Sequence, residues 1–293
     1  MNVYFLKPVS RLINLLLIGA LFWLPGVPAN AEQGSVLSYE EAITLIEYGN
    51  SNQQMDGVDA VVLLGDKRAG AVLMKVFEDP NTEGMVKISV AYALGLLGVE
   101  SAQDVLIPAL EQDMVRRTGV WSGIIPALGE LRSKSAIPIL LKALKKRDDR
   151  WLGREMAATA LGHIGSQEAV PGLMTAAMMV DTRESAMGAL AAIGDSRAAQ
   201  VFLDALQDGE EQEIVKLATD GLRNLGDAAV PGMIREFERY NREFPETMKR
   251  LMLCQLLGEN GSKQAYASLK RVATDRRDGW VLKCAKQQLS RKK

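Results

Sequence analysis

Apolar residues along this chain gather into a block of six that returns about every 33 positions. Ala93-Leu94-Gly95-Leu96-Leu97-Gly98 is the clearest copy, and residues 127–132, 160–165 and 189–194 follow its pattern. Weaker copies stand at 60–65, 221–226 and 256–261. The closing positions are 65, 98, 132, 165, 194, 226 and 261, a spacing of 29 to 35 residues. Four residues past each comes a small apolar residue, Ala in six copies and Val230 in the other. Eight past comes a large one: Leu73, Leu106, Leu140, Leu173, Phe202, Ile234 or Leu269. Apolar positions at offsets of four and eight make one stripe on a helix.

The pattern predicts seven units, each of helix A, tight turn, helix B and a loop. The closing glycine suits a helix C-terminus, where a left-handed conformation costs Gly little. Ser101, Ser135 and Ser262 are placed to cap helix B. Pro138, Pro171 and Pro231 fall in its first turn, where a missing N–H is tolerated. Helix A is expected at 52–64, 85–97, 117–131, 151–164, 182–193, 211–225 and 246–258. Helix B is expected at 67–78, 101–112, 135–146, 168–179, 197–207, 228–240 and 263–274. Ser38-Tyr39-Glu40-Glu41 reads as a capping box opening a further helix at 39–49, and 279–290 as a last amphipathic helix before the tail Arg291-Lys292-Lys293. A pair of short helices cannot bury its apolar faces alone, whereas stacked neighbours share a continuous core. The expected fold class is all-α, an α-α superhelix (solenoid) of about seven two-helix repeats. A capping segment at 32–55 precedes the repeats at 56–275, and a capping helix with tail follows at 276–293.

Composition narrows the class of protein. Apolar residues are 47% and charged residues 24%, which is globular, and only 5% are aromatic, which argues against a β-sandwich. Lys7 and Arg11 precede the apolar run 12–24; Pro25, Gly26 and Pro28 then break it, and Ala29-Asn30-Ala31 has the form of a cleavage site. Residues 1–31 therefore read as a secretory signal peptide cleaved after Ala31, which implies a periplasmic protein with no integral membrane segment after cleavage. Without the signal, 33 basic face 36 acidic residues, a net charge of −3 that makes nucleic acid a poor partner.

The Ala-Leu-Gly-x-Leu/Ile-Gly turn, followed by Ala four residues on and an early Pro, resembles the short HEAT-like repeats, also called phycobilisome-lyase-type HEAT repeats. The resemblance covers about residues 56–275. It implies a HEAT-like solenoid. It also implies that a basic residue six before the Ala-Leu-Gly alanine ties adjacent repeats together. Lys87, Arg154, Arg183 and Arg250 fit that position, whereas Trp121 and Val215 depart from it. Deoxyhypusine hydroxylase, a HEAT-like metalloenzyme, is built on several His-Glu pairs, and one histidine cannot supply them. Bilin lyases share the repeat but act in the cytosol, which the export signal opposes. HEAT-like DNA glycosylases need a basic concave face, which this net charge does not suggest.

The lone histidine, His163, occupies the variable fourth slot of its hexad and is expected to be exposed and incidental. No phosphate-cradling loop, nucleophile elbow or zinc-protease motif occurs. No catalytic, cofactor-binding or metal-ligating residue is therefore assigned, and no cofactor is implied. Cys254 and Cys284 lie in helices expected to stack, so they either form a disulfide or are two small core residues. Charge falls in blocks: net −10 over 32–115, +6 over 116–160, −7 over 161–232 and +8 over 233–293. Such blocks are either solvated surface or the basis of oriented recognition, including head-to-tail self-association. Met178-Met179 stand where the other units carry at least one polar or charged residue, and with Trp121 and Trp151 they form a candidate protein-binding edge. The first reading is an exported protein-binding scaffold or adaptor, monomeric or weakly self-associating, and not an enzyme. The alternatives are an accessory factor for maturation or cofactor loading of another exported protein, and a cofactor-free hydrolase or lyase.

Overall fold

The computed structural model describes residues 37–146, 153–206, 211–239, 247–274 and 279–291. The signal segment at 1–31, Trp151, and Lys292 and Lys293 of the basic tail lie outside them. The described residues form α-helices and short 3-10 turns without strands, an all-α HEAT-like solenoid architecture in two compact units, with the division of the chain between Leu131 and Arg132. Unit 1 holds α1 (Tyr39–Tyr48), α2 (Ser51–Leu64), α3 (Gly70–Glu78), α4 (Gly84–Leu96), α5 (Gln103–Arg116) and α6 (Trp121–Glu130). Unit 2 holds α7 (Ile137–Lys145), α8 (Gly153–Ile164), α9 (Val170–Ala176), α10 (Arg183–Ile193), α11 (Ala199–Asp204), α12 (Gln212–Leu225), α13 (Val230–Glu238), α14 (Thr247–Asn260), α15 (Lys263–Val272) and α16 (Gly279–Ser290).

Within each unit, A helices pack side by side: α2, α4 and α6 in unit 1, and α8, α10 and α12 in unit 2. Each B helix packs against the A helix that follows it. The inner glycine of the hexad explains how closely the A helices approach. A Cβ on Gly95 would lie 2.5 Å from Ala127 Cα, and one on Gly162 would lie 2.8 Å from Ala189 Cα. The third residue of one hexad thus abuts the first residue of the next, and no larger side chain fits between two backbones that close. The closing residue takes a left-handed conformation at Gly65, Gly98, Gly165, Gly194 and Gly261, and Arg132 adopts it too, at φ 48°.

Three local expectations need correction. Ser101 and Ser135 do not cap helix B, because a 3-10 turn precedes each B helix through α13 and both serines sit inside it. The cap is the residue after the closing glycine: Asp66, Ser166 and Asp195 each accept from the N–H two positions on. Ser262, which stands there, does cap α15 directly. Helix A of the third unit starts at Trp121 rather than 117, because α5 runs on to Arg116. Helix B of the fourth unit ends at Ala176 rather than 179. Thr182 Oγ1 donates to the Ala176 carbonyl at 2.8 Å and satisfies the helix end there.

Polar contacts tie turn to turn at the repeat distance. Arg197 Nη2 donates to the Gln167 carbonyl at 2.9 Å, and Asn260 Nδ2 to Asp227 Oδ1 at 3.0 Å. The basic position six before the alanine works the same way: Arg154 Nε reaches the Leu144 carbonyl at 3.1 Å and Arg250 Nε the Phe237 carbonyl at 3.0 Å. Each guanidinium thus satisfies an acceptor at the end of the preceding B helix.

Candidate functional site

The site is a cleft of about 620 Å³ in unit 1. Its walls are the end of α3, the following loop, the outer face of α5 and the start of α6. Val105 and Ala109 on α5, Val120 before α6, and Ile124 on α6 give it an apolar floor. Glu78, Asp104, Gln112, Arg116 and Thr118 stand exposed around the mouth. Lys87 Nζ lies 5.9 Å from the centroid of the Phe77 ring, within range of cation–π attraction.

Two features of α5 shape this cleft. Pro108 lies inside the helix and lacks an N–H, so the Asp104 carbonyl loses its i+4 donor. Both residues line the cleft. Further on, Asp113 is buried and reaches across to the start of α6. Its carboxylate accepts from the Thr118 N–H at 2.8 Å, from the Thr118 hydroxyl, and from the Trp121 N–H at 2.9 Å. Asp113 therefore caps α6 from a neighbouring helix and fixes one rim. An apolar strip bounded by hydrogen-bonding and charged groups of both signs suits an extended polypeptide segment or an amphipathic small molecule.

The residues singled out in the sequence fall elsewhere. Trp121 is half-buried in unit 1, and its backbone N–H donates to Asp113. Met178 and Met179 belong to unit 2 and lie in the turn after α9, not on its helical face. Met178 is 84% exposed and Val180 97% exposed. Met179 is half-buried, with its sulfur 2.8 Å from Arg154 Nη2, and Arg154 also pairs with Asp181. The two methionines thus have different surroundings. His163 is exposed, as are its counterparts Leu63, Leu96, Glu130, Ala192, Asn224 and Glu259. Cys254 and Cys284 are bonded, with Cα atoms 6.5 Å apart. Among the described residues, no group of three or more His, Cys, Asp or Glu could hold a metal, and no helix is long and apolar enough to cross a membrane.

The cleft itself was not anticipated. Its sequence signals are faint: a proline ten residues past the closing Gly98, and an acidic residue at position 113 that proves to be buried.

Comparison with known proteins bears on the fold. A model describing HEAT repeats matches residues 120–179, and one describing the PBS lyase HEAT-like repeat matches residues 182–208. A chain from the complex of CpcE and CpcF of phycocyanin lyase from Nostoc sp. PCC7120 is 21% identical, with a TM-score of 0.51; the match covers 84% of this chain and 98% of that one. Human deoxyhypusine hydroxylase in complex with glycerol is 16% identical over 97% of this chain and 98% of its own, with a TM-score of 0.29 that carries no argument. No curated protein is significantly similar in sequence. At 21% identity the likeness to the lyase chain is one of fold, and the repeats of this chain are HEAT-like.

Proposed function

We propose that this protein is a binding scaffold, exported to the periplasm after cleavage at Ala31, whose unit 1 cleft receives a segment of another protein. The cleft carries this reading: an open depression of about 620 Å³ with an apolar floor and a mixed-charge rim, built on stacked helices that hold it rigid. The test is a photo-crosslinking amino acid at Gln112, on the exposed rim, in cells making the full chain. A single stoichiometric partner, crosslinked at Gln112 but not at Glu213 on unit 2, is the expected result. Equal labelling at both positions, or none, would sink the reading. Mass spectrometry of the exported fraction checks the other half, and a product still carrying residues 1–31 contradicts it.

A second reading is favoured by the size of the cleft, which falls within the range of small-molecule sites. On this reading the protein helps to mature another exported protein or load its cofactor. The similar lyase chain supports it only as a precedent for the fold. A chromophore that copurifies and is lost with Val105→Trp, a substitution that fills the floor, distinguishes it from the first reading.

A further inference from the structure

We propose that copies of this protein associate head to tail, with α1 of one copy packing against α16 of the next. The proposal is independent of the cleft and its partner.

Interior A helices are covered on two flanks. α10 lies between α8 and α12 and buries Ala186, Met187, Ala189 and Leu190. By contrast, α16 packs chiefly on α14 and α15 and buries one stripe, Val281, Ala285 and Gln288. α1 packs on α2 and α3 and buries only Ala42 and Ile46. End helices of a repeat stack ordinarily turn a polar face outward. On these two an aromatic side chain stands among the polar ones: Tyr48 on α1 is 82% exposed and Trp280 on α16 is 71% exposed. They are the aromatic residues among the large exposed apolar side chains of the described chain.

The charges of the two helices are complementary. α1 carries Glu40, Glu41 and Glu47 and no Lys or Arg, whereas α16 carries Lys283 and Lys286 and no Asp or Glu. Glu47 is half-buried and sits 4.0 Å from the exposed Lys75 of its own copy, so Glu40 and Glu41 are the exposed acidic groups of α1. On each helix exposed charged and aromatic positions lie away from the buried stripe, at 40 and 48 on α1 and at 280, 283 and 286 on α16.

The order of the helices also fits. α1 packs as a B helix does, against the A and B helices that follow it, and α16 packs as an A helix does, against the A and B helices before it. Setting α1 after α16 continues the A–B alternation without a break. Consecutive A and B helices run antiparallel, which brings Trp280 at the start of α16 beside Tyr48 at the end of α1. The two surfaces differ, so the contact is heterologous and joins one end of a copy to the other end of the next.

Sedimentation velocity of the purified full chain tests this across a wide range of concentrations and at low and high salt. The weight-average mass should rise above that of the monomer with concentration, and salt should oppose the rise. Lys283→Glu with Lys286→Glu should weaken association at least about tenfold, as should Glu40→Lys with Glu47→Lys. An equimolar mixture of the two variants should associate again, because each supplies the charge the other lacks. Tyr48→Ala with Trp280→Ala should weaken association with no change of charge. A mass that stays monomeric, indifference to charge reversal, or a mixture that fails to associate would each overturn the proposal.

Discussion

The bond between Cys254 and Cys284 sets a stability that can be measured directly. It joins α14 to α16 across a sequence separation of 30 residues. Closing a ring of that length removes about 3.6 kcal/mol of conformational freedom from the unfolded chain, between the values for 15-residue and 100-residue rings. Breaking it leaves Cys254 fully buried and Cys284 half-buried, surroundings in which a free thiol behaves as a small apolar group. The loss on reduction should therefore come mainly from the unfolded state. The assay is urea and thermal unfolding of the native and the reduced protein, with Cys284→Ala as control. Reduction should lower stability by about 3–4 kcal/mol, or roughly 6–15 °C in Tm for a unit of this size. Cys284→Ala should match the reduced wild type within about 1 kcal/mol and should not respond to reductant. Hydrogen exchange should quicken first in α16, since each repeat leans only on its neighbours. Two thiols titrating in the native protein, or a change below about 1 kcal/mol on reduction, would refute the reasoning.

Three further predictions follow from single contacts. Met178→Lys should change stability by no more than about 0.5 kcal/mol because the side chain is exposed, whereas Met179→Lys sets a cation against Arg154 and should cost about 1–3 kcal/mol; urea midpoints of the two variants separate these outcomes. Gly162→Ala would drive a methyl to within 2.8 Å of the Ala189 backbone and should cost about 1–3 kcal/mol, while Gly188→Ala, which meets nothing within 4 Å, should not destabilise; paired thermal melts compare them. Hydrogen bonds from the Arg197 side chain, then from its backbone N–H, hold the Asp195 carboxyl at about 2 against its ordinary 3.8. The lowered value means stability that is fully present above pH 4 and is lost as pH falls toward 2, so the advantage of wild type over Asp195→Asn should shrink through that window in acid unfolding.

The helix pairs were legible because each turn repeats the same few chemical requirements. A left-handed residue closes helix A, small residues let A helices meet, and a stripe at offsets four and eight buries helix B. Arg132 shows how far this reaches, since the turn keeps its left-handed form without a glycine. What the pattern could not give were boundaries set from outside the helix concerned. Met178-Met179 prolong the apolar run of helix B in sequence, yet the helix stops at Ala176, whose carbonyl accepts from the Met179 N–H and from the hydroxyl of Thr182, six residues on. The start of α6 is fixed by Asp113 on another helix, and no local signal at 117–121 reveals it.

The same logic explains why the candidate binding surfaces were the least legible part. A repeat pattern records what every unit shares, whereas binding depends on where one unit departs from the others. The cleft exists because α5 runs longer than its counterparts and spends Asp113 on a neighbour, leaving Arg116 at the rim. At α1 and α16 the departure is an aromatic side chain on the face that a further repeat would cover. Neither departure alters the spacing of the hexads. Both come to light only when each position is compared with its equivalents for burial and partners. A repeat that matches its neighbours contributes stability and little else, so the exceptions of α1, α5 and α16 are where mutagenesis has most to reveal.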